Sequence, residues 1–226
     1  MDDKFDYALE FALRAYQQFY RLNVTGKIDP NTLKAMSTPR CGVPDINIEQ
    51  TSNYVLFDGR MKWFKYDLTY NYLSNSSQVL DLQDLKLAIA RAFQTWRNAS
   101  KFTFRENTTP GANTDIGIGF FRRFHGDGEP FDGPLDRYRP NVVAHATPPQ
   151  SRYSFLQFDA DEIWSTNPAE NTTQVDIESI ALHELGHILG LNHSQKEEAV
   201  MYAIFPGGQK RVLKQDDIDG ITDLYK

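Results

Sequence analysis

The segment His183-Glu184-Leu185-Gly186-His187 sets two imidazoles four residues apart. On a helix that is one turn, so both rings project from one face with the Glu184 carboxylate beside them. The arrangement suits zinc. Gly190 can adopt the left-handed backbone that ends a helix and turns the chain, which brings His193 back as a third nitrogen ligand. Three nitrogens leave one coordination position open, the feature that separates a catalytic zinc from a structural one. A water there has its pKa lowered to roughly 7, and Glu184 is placed to accept its proton while the metal polarises a carbonyl. The bland alternative is a buried helix that carries two histidines by coincidence. Gly190 and His193 at the next positions, with Met201 in a turn beyond them, weigh against it.

Several elements must hold these groups in place. From Phe5 to Tyr20, apolar residues recur at three- and four-residue steps and describe one helix face. Val24 to Lys27 reads as a turn, and Asp29 with Pro30 supplies an N-cap and first-turn proline for a short helix to about Met36. Residues from Pro39 to about Asn53 have neither periodicity and contain Pro39, Gly42 and Pro44, so they predict an extended, cleavable linker and a domain boundary. Beyond it, residues 65–70 alternate like a strand, and Leu80 to Ala99 form an amphipathic helix with Leu85, Ala88, Ile89, Ala92, Phe93 and Trp96 inward. Residues 102–104 and 115–120 read as further strands, and Val142 to Ala146 as an edge strand inside a long Gly-, Pro- and Asp-rich loop that predicts bound ions. Helices follow from about Val175 to Leu189 and from Lys214 to Leu224.

With 226 residues the chain has room for one catalytic domain and a smaller appendage. A net charge of −6 and the lack of a Lys/Arg stripe argue against a nucleic-acid partner. No apolar run approaches the roughly 20 residues needed to span a bilayer, and Met1-Asp2-Asp3-Lys4 does not open a signal peptide. Six N-x-[ST] sequons, at Asn23, Asn75, Asn98, Asn107, Asn171 and Asn192, point instead to a secreted, extracellular or cell-surface protein whose targeting segment has been trimmed. Cys41 is the single cysteine, so no intramolecular disulfide forms, and a lone thiol in such a protein needs its own explanation.

The sequence resembles the matrix metalloproteinases, or matrixins, of the metzincin clan. His183-Glu184-x-x-His187-x-x-Gly190-x-x-His193-Ser194 is similar to their zinc-binding segment, and Ala199-Val200-Met201-Tyr202 to their Met-turn. Pro39-Arg40-Cys41-Gly42-Val43-Pro44-Asp45 resembles the cysteine-switch propeptide, and its wording, with Tyr54-x-x-Phe57-x-Gly59, looks most like plant matrixins. The resemblance implies an α+β fold, a metzincin catalytic domain with a twisted, mixed five-stranded sheet and three helices over 54–226. A helical, peptidoglycan-binding-like propeptide would occupy 1–53. It further implies a zymogen. A thiolate binds zinc at about 2.3 Å, so Cys41 would fill the position the water needs, with Arg40 pairing with Asp45 to brace the loop. Activation cleavage is expected between about Ile46 and Phe57.

By the same resemblance His125, Asp127 and His145 would ligate a second, structural zinc, while Asp132, Gly133, Asp159 and Glu162 would hold Ca²⁺. This chain departs from the family there. Gln157 replaces a third histidine, an amide oxygen being a poor substitute for imidazole at zinc. Ser151 to Phe155 lack the glycines and carboxylate of a second calcium loop, which orphans Asp115. The resemblance also implies that an extended protein or peptide substrate pairs with the strand containing Ala144 and inserts a hydrophobic side chain into a pocket lined by Leu182, Tyr202, Ala203, Ile204 and Phe205. Asp216 and Asp217 match paired aspartates that receive a new N-terminal ammonium, or else serve only the helix dipole. The expected partners are substrates and an activating protease, with the chain a monomer. The competing reading is a secreted, non-catalytic binding or regulatory protein on the same fold, and a cell-wall-binding hairpin is a third. Glu184 and Cys41 argue against the second reading, since a dead enzyme needs no latch.

Overall fold

The computed structural model describes residues 7–45, 55–57, 59–73, 82–109, 111–133, 141–149 and 153–226. Tyr54, Asp58, Asn75, Leu80, Arg137, Arg139, Ser151, Arg152 and most of the expected cleavage stretch lie outside the described residues.

The chain begins with a helical hairpin, α1 (Tyr7–Phe19) and α2 (Pro30–Met36). Asp29 caps α2 by accepting from the Asn31 and Thr32 amides, with Pro30 at the first helical position where no N–H is needed. A buried glutamine ties the hairpin together. Gln17 Nε2 donates to Thr25 Oγ1, Lys27 O and Thr32 Oγ1, and its Oε1 accepts from Gly26 N. Burying a satisfied amide fixes the turn and α2 against α1 where an aliphatic residue would leave these groups unpaired.

The main body is a mixed sheet with helices packed on it, an α+β architecture. Its strands are β1 (Arg40–Cys41), β2 (Asp67–Tyr72), β3 (Thr103–Glu106), β4 (Ile116–Phe121), β5 (Val142–Ala146) and β6 (Ser154–Asp159), in the order β1-β5-β6-β4-β2-β3. Only β5 and β6 pair antiparallel. The five strands expected within 54–226 are β2 to β6, and Arg40 and Cys41 leave the linker to add a sixth, parallel strand on the edge of β5. The central strand β6 was not anticipated. A two-stranded ribbon of β7 (Trp164–Ser165) and β8 (Val175–Asp176) leads into the next helix.

Helix α3 (Leu82–Ala99) buries the expected stripe from Leu85 to Trp96. It packs on α4 (Ile177–Ile188), where Trp96 Nε1 donates to Leu182 O at 2.7 Å and anchors the helix that carries the histidines. Asp176 caps α4 through the Ser179 amide. Helix α5 (Gln215–Leu224) closes the chain.

Candidate metal centre

His183 and His187 lie on the buried face of α4, one turn apart. Leu189 ends the helix and Gly190 takes φ +101°, turning the chain so that His193 faces the same point. No side chain fits at Gly190, because a Cβ there would stand 2.3 Å from Met61 O. From the opposite side comes Cys41. The ligand atoms of Cys41, His183, His187 and His193 all lie within 4.8 Å of one another, and all four residues are buried. His187 Nε2 is 3.0 Å from His183 Nε2 and 3.5 Å from Cys41 Sγ. Donors around one zinc at about 2.0–2.3 Å stand roughly 3.3–3.7 Å apart on a tetrahedron, so the cluster matches in size.

The second nitrogen of each ring is already engaged. His183 Nδ1 donates to Val200 O at 2.7 Å, His187 Nδ1 to Leu191 O at 2.8 Å, and His193 Nδ1 to Asp45 Oδ1 at 2.8 Å. Acceptor oxygens at every Nδ1 force the proton there and leave each Nε2 lone pair facing the centre. His193 Nε2 is buried with no hydrogen-bond partner among the described residues. Burial pushes all three imidazoles down, toward the neutral form a metal requires. Burial, and then the Glu184 carboxylate, push the Cys41 thiol well up, so a thiolate there calls for a cation beside it. The donor set therefore fits zinc, as three neutral imidazoles and a sulfur.

Glu184 is fully buried beside the Cys41 thiol, its two oxygens meet no N–H or O–H donor among the described residues, and burial pushes its carboxyl up to about 8. Beneath the histidines, Met201 Sδ lies where a Cβ on Gly186 would be, 2.2 Å from it. Gly186 is thus required for the Met-turn to pass under the helix. Asp217 holds that turn by accepting from Val200 N and Met201 N at 3.0 Å each, and from Lys214 N at 2.8 Å. Asp216 accepts from Ser194 Oγ and pairs with Lys196. Both aspartates are therefore occupied in this form.

Residues 39–45 run between β5 and residues 202–205. Cys41 N donates to Ala203 O, Gly42 N to Ala144 O, and Phe205 N to Pro39 O. Arg40 pairs with Asp45 at 3.0 Å. Phe19 and Tyr20 pack over Tyr202, Ala203 and Ile204, while Phe205 meets His183 edge-on at 4.8 Å and carries the Arg211 guanidinium 4.3 Å from its ring centre. Leu182 is buried in α4. All residues read as substrate-binding thus lie around this segment or in the core behind it.

The other ion positions divide. His125, Asp127 and His145 come together, with Asp127 Oδ2 2.8 Å from His125 Nε2 and 2.9 Å from His145 Nε2. Gln157 Oε1 also reaches His145 Nε2 at 2.9 Å, so an amide oxygen stands where a further imidazole was expected. Gly133 N donates to Asp159 Oδ2 at 3.3 Å, whereas among the described residues Asp132, Asp159 and Glu162 do not draw together as tightly as the two clusters above. Burial raises Asp132 and Asp159 to about 6 and Glu162 to about 8, with repulsion from Asp159 adding at Asp132 and from Asp159 and Asp132 at Glu162, and both Glu162 oxygens are buried without a hydrogen-bond partner among the described residues. Asp115, read as orphaned, is not: Lys65 Nζ lies 2.6 Å from one oxygen, and Thr69 donates its amide and hydroxyl to the other. An ammonium stands where the family pattern suggested a divalent ion.

Three contacts escaped sequence reading. Gln17, Gly186 and the bond from His193 to Asp45 all join residues distant in sequence, and no periodicity signals them. The sequons also separate: Asn23, Asn98 and Asn171 are exposed and Asn107 half-buried, whereas Asn192 is buried, its Oδ1 accepting from His193 N. No helix among the described residues is long and apolar enough to cross a membrane.

A family model described as Matrixin matches residues 62–226, and a peptidoglycan binding domain model matches residues 1–36. The chain is 42% identical over 237 residues to metalloendoproteinase 1 of Glycine max, covering 99% of this chain and 75% of that protein. It is 38% identical over 244 residues to metalloendoproteinase 5-MMP of Arabidopsis thaliana, covering 99% and 65%. To interstitial collagenase of Sus scrofa it is 41% identical over 216 residues, covering 94% of this chain and 42% of that protein.

Proposed function

The chain belongs to the matrixin family of zinc-dependent metalloendopeptidases, and from that premise we propose that it is the latent form of an extracellular endopeptidase, silenced by its own Cys41. One observation carries this reading. Four buried ligand atoms converge while every imidazole Nδ1 is engaged elsewhere, an arrangement that serves no purpose without an ion.

His183, His187 and His193 would hold the metal, with Met201 beneath them. Bound there, zinc supplies a Lewis acid that polarises a peptide carbonyl and acidifies water. Glu184 accepts the proton of the attacking water and returns it to the departing amine nitrogen. Its place on α4 beside His183, buried against the Cys41 sulfur, suits that task. Residues 1–53 form the propeptide and 54–226 the catalytic domain. Cys41 blocks the reaction by occupying the water's place, and its flanking backbone takes the Ala144 and Ala203 carbonyls that an extended substrate would use. With those groups freed, Leu182, Tyr202, Ala203, Ile204 and Phe205 would receive a hydrophobic side chain of a protein or peptide substrate. Asp132, Gly133, Asp159 and Glu162 are proposed to hold Ca²⁺, which would neutralise three neighbouring carboxylates. His125, Asp127 and His145 make a zinc site of lower affinity, because Gln157 offers an amide oxygen. Export fits the exposed sequons, with Asn192 excluded as a glycan acceptor.

The test is an assay of casein or a quenched peptide before and after an organomercurial or limited proteolysis of the linker, with and without chelator. The reading expects turnover only after treatment, lost to chelator and absent in Glu184→Ala. Treated protein with no chelator-sensitive turnover would favour a non-catalytic binding protein.

A further inference from the structure

His193 differs from its two partners in what holds it. His183 and His187 donate their Nδ1 protons to carbonyls of the catalytic domain itself, Val200 O and Leu191 O. His193 donates to a carboxylate, and that carboxylate belongs to Asp45, four residues past Cys41 in the switch segment. Asp45 Oδ1 takes the His193 proton at 2.8 Å, while Oδ2 accepts from Arg40 Nη2 at 3.0 Å and from Tyr20 Oη at 2.9 Å.

A carboxylate at the far nitrogen of a metal-bound imidazole fixes the ring and raises its basicity more than a neutral carbonyl does. The geometry points to Asp45 as a positioning residue of the metal centre: the propeptide supplies zinc's third histidine with its carboxylate partner and takes that partner away on activation. The inference rests on the zinc reading above. The latent chain is thereby tied to its metal at two points, through the Cys41 sulfur directly and through Asp45 by way of His193. Activation removes both, so the mature domain holds zinc less tightly, with a His193 ring freer to turn.

The experiment uses the full chain loaded with one zinc and follows transfer of the metal to a chromophoric chelator in wild type, Asp45→Ala, Asp45→Asn and Arg40→Gln. Loss of such an outer partner typically costs roughly 10–100-fold in metal affinity. Asp45→Ala is expected to release zinc faster by about that factor. Asp45→Asn, which keeps an acceptor without the charge, should fall between it and wild type. Arg40→Gln removes the brace but leaves the bond to His193, and should stay near wild type. After cleavage removes residues 1–53, all four become the same chain and must release zinc at one rate, faster than the latent wild type. Labelling of Cys41 by a thiol reagent, run in parallel, reports whether the switch is still seated. A downfield ring N–H proton resonance from His193 should be present in latent wild type and Arg40→Gln and absent from Asp45→Ala. Zinc release that tracks Cys41 labelling in every variant, or Arg40→Gln matching Asp45→Ala, would overturn the role of Asp45. A full chain that takes up no zinc would instead overturn the reading on which it rests.

Discussion

Asp217 shows how far a single side chain acts from the metal. Its carboxylate accepts from Val200 N and Met201 N, Val200 O accepts from His183 Nδ1, and the chain of contacts ends on the ring nitrogen opposite the one that faces the centre. Hydrogen bonds to a charged group contribute about 1.5–3 kcal/mol each, and their buried donors would be left unpaired. Asp217→Ala is therefore expected to lose about 3 kcal/mol of stability, read by urea unfolding, and to shed zinc to chelator more readily than wild type. A variant with unchanged midpoint and unchanged zinc retention would show that the Met-turn holds itself. The sequence displayed the three histidines and Glu184, because helical spacing and one glycine suffice to bring them together. Asp217 was visible only as one of two helix-end carboxylates, since its partners lie 16 and 17 residues away.

Elements with one buried stripe were legible, and those serving the site from the centre of the fold were not. Helix α3 announces itself by apolar residues at three- and four-residue steps. Strand β6 does not, because it is buried nearly throughout, which erases the alternation, and because Gln157 and Asp159 interrupt its apolar run on behalf of the ion positions. The end of α4 depends on one backbone conformation. Gly190→Ala would meet both a positive φ and Met61 O, and is expected to cost about 2–3 kcal/mol while moving His193 off the centre. Thermal unfolding with and without zinc checks this. The expected result is a lower Tm whose zinc-dependent rise is smaller than in wild type, and an equal rise in both proteins would contradict it.

Across the whole molecule, Arg40 and Cys41 join the helical hairpin to the main sheet as an edge strand, so the latency proposed above would be held by the fold as well as by the metal centre. At Asp115 the neighbouring cation is a side chain, Lys65. Burial raises that carboxyl, but Lys65 and Thr69 more than reverse it, leaving it lowered. A carboxyl lowered on folding stabilises above its unfolded value, about 3.9, and loses that contribution as pH falls through the folded one. Lys65→Met should cost under about 1 kcal/mol at pH 7, since the lysine is half exposed, and the difference from wild type should vanish as the pH falls far enough to protonate Asp115 in the folded chain. Chemical denaturation across that range reads it, and a gap that persists in acid would contradict the pairing.

The central claim is that one zinc in the latent chain is shared by three imidazoles and the Cys41 sulfur. X-ray absorption at the zinc edge, on the full chain carrying a single equivalent of metal, tests it most directly. The account predicts three nitrogen scatterers at about 2.0–2.1 Å and one sulfur at about 2.3 Å, with the sulfur lost once residues 1–53 are removed and turnover begins. A latent chain whose zinc shows no sulfur neighbour would contradict it.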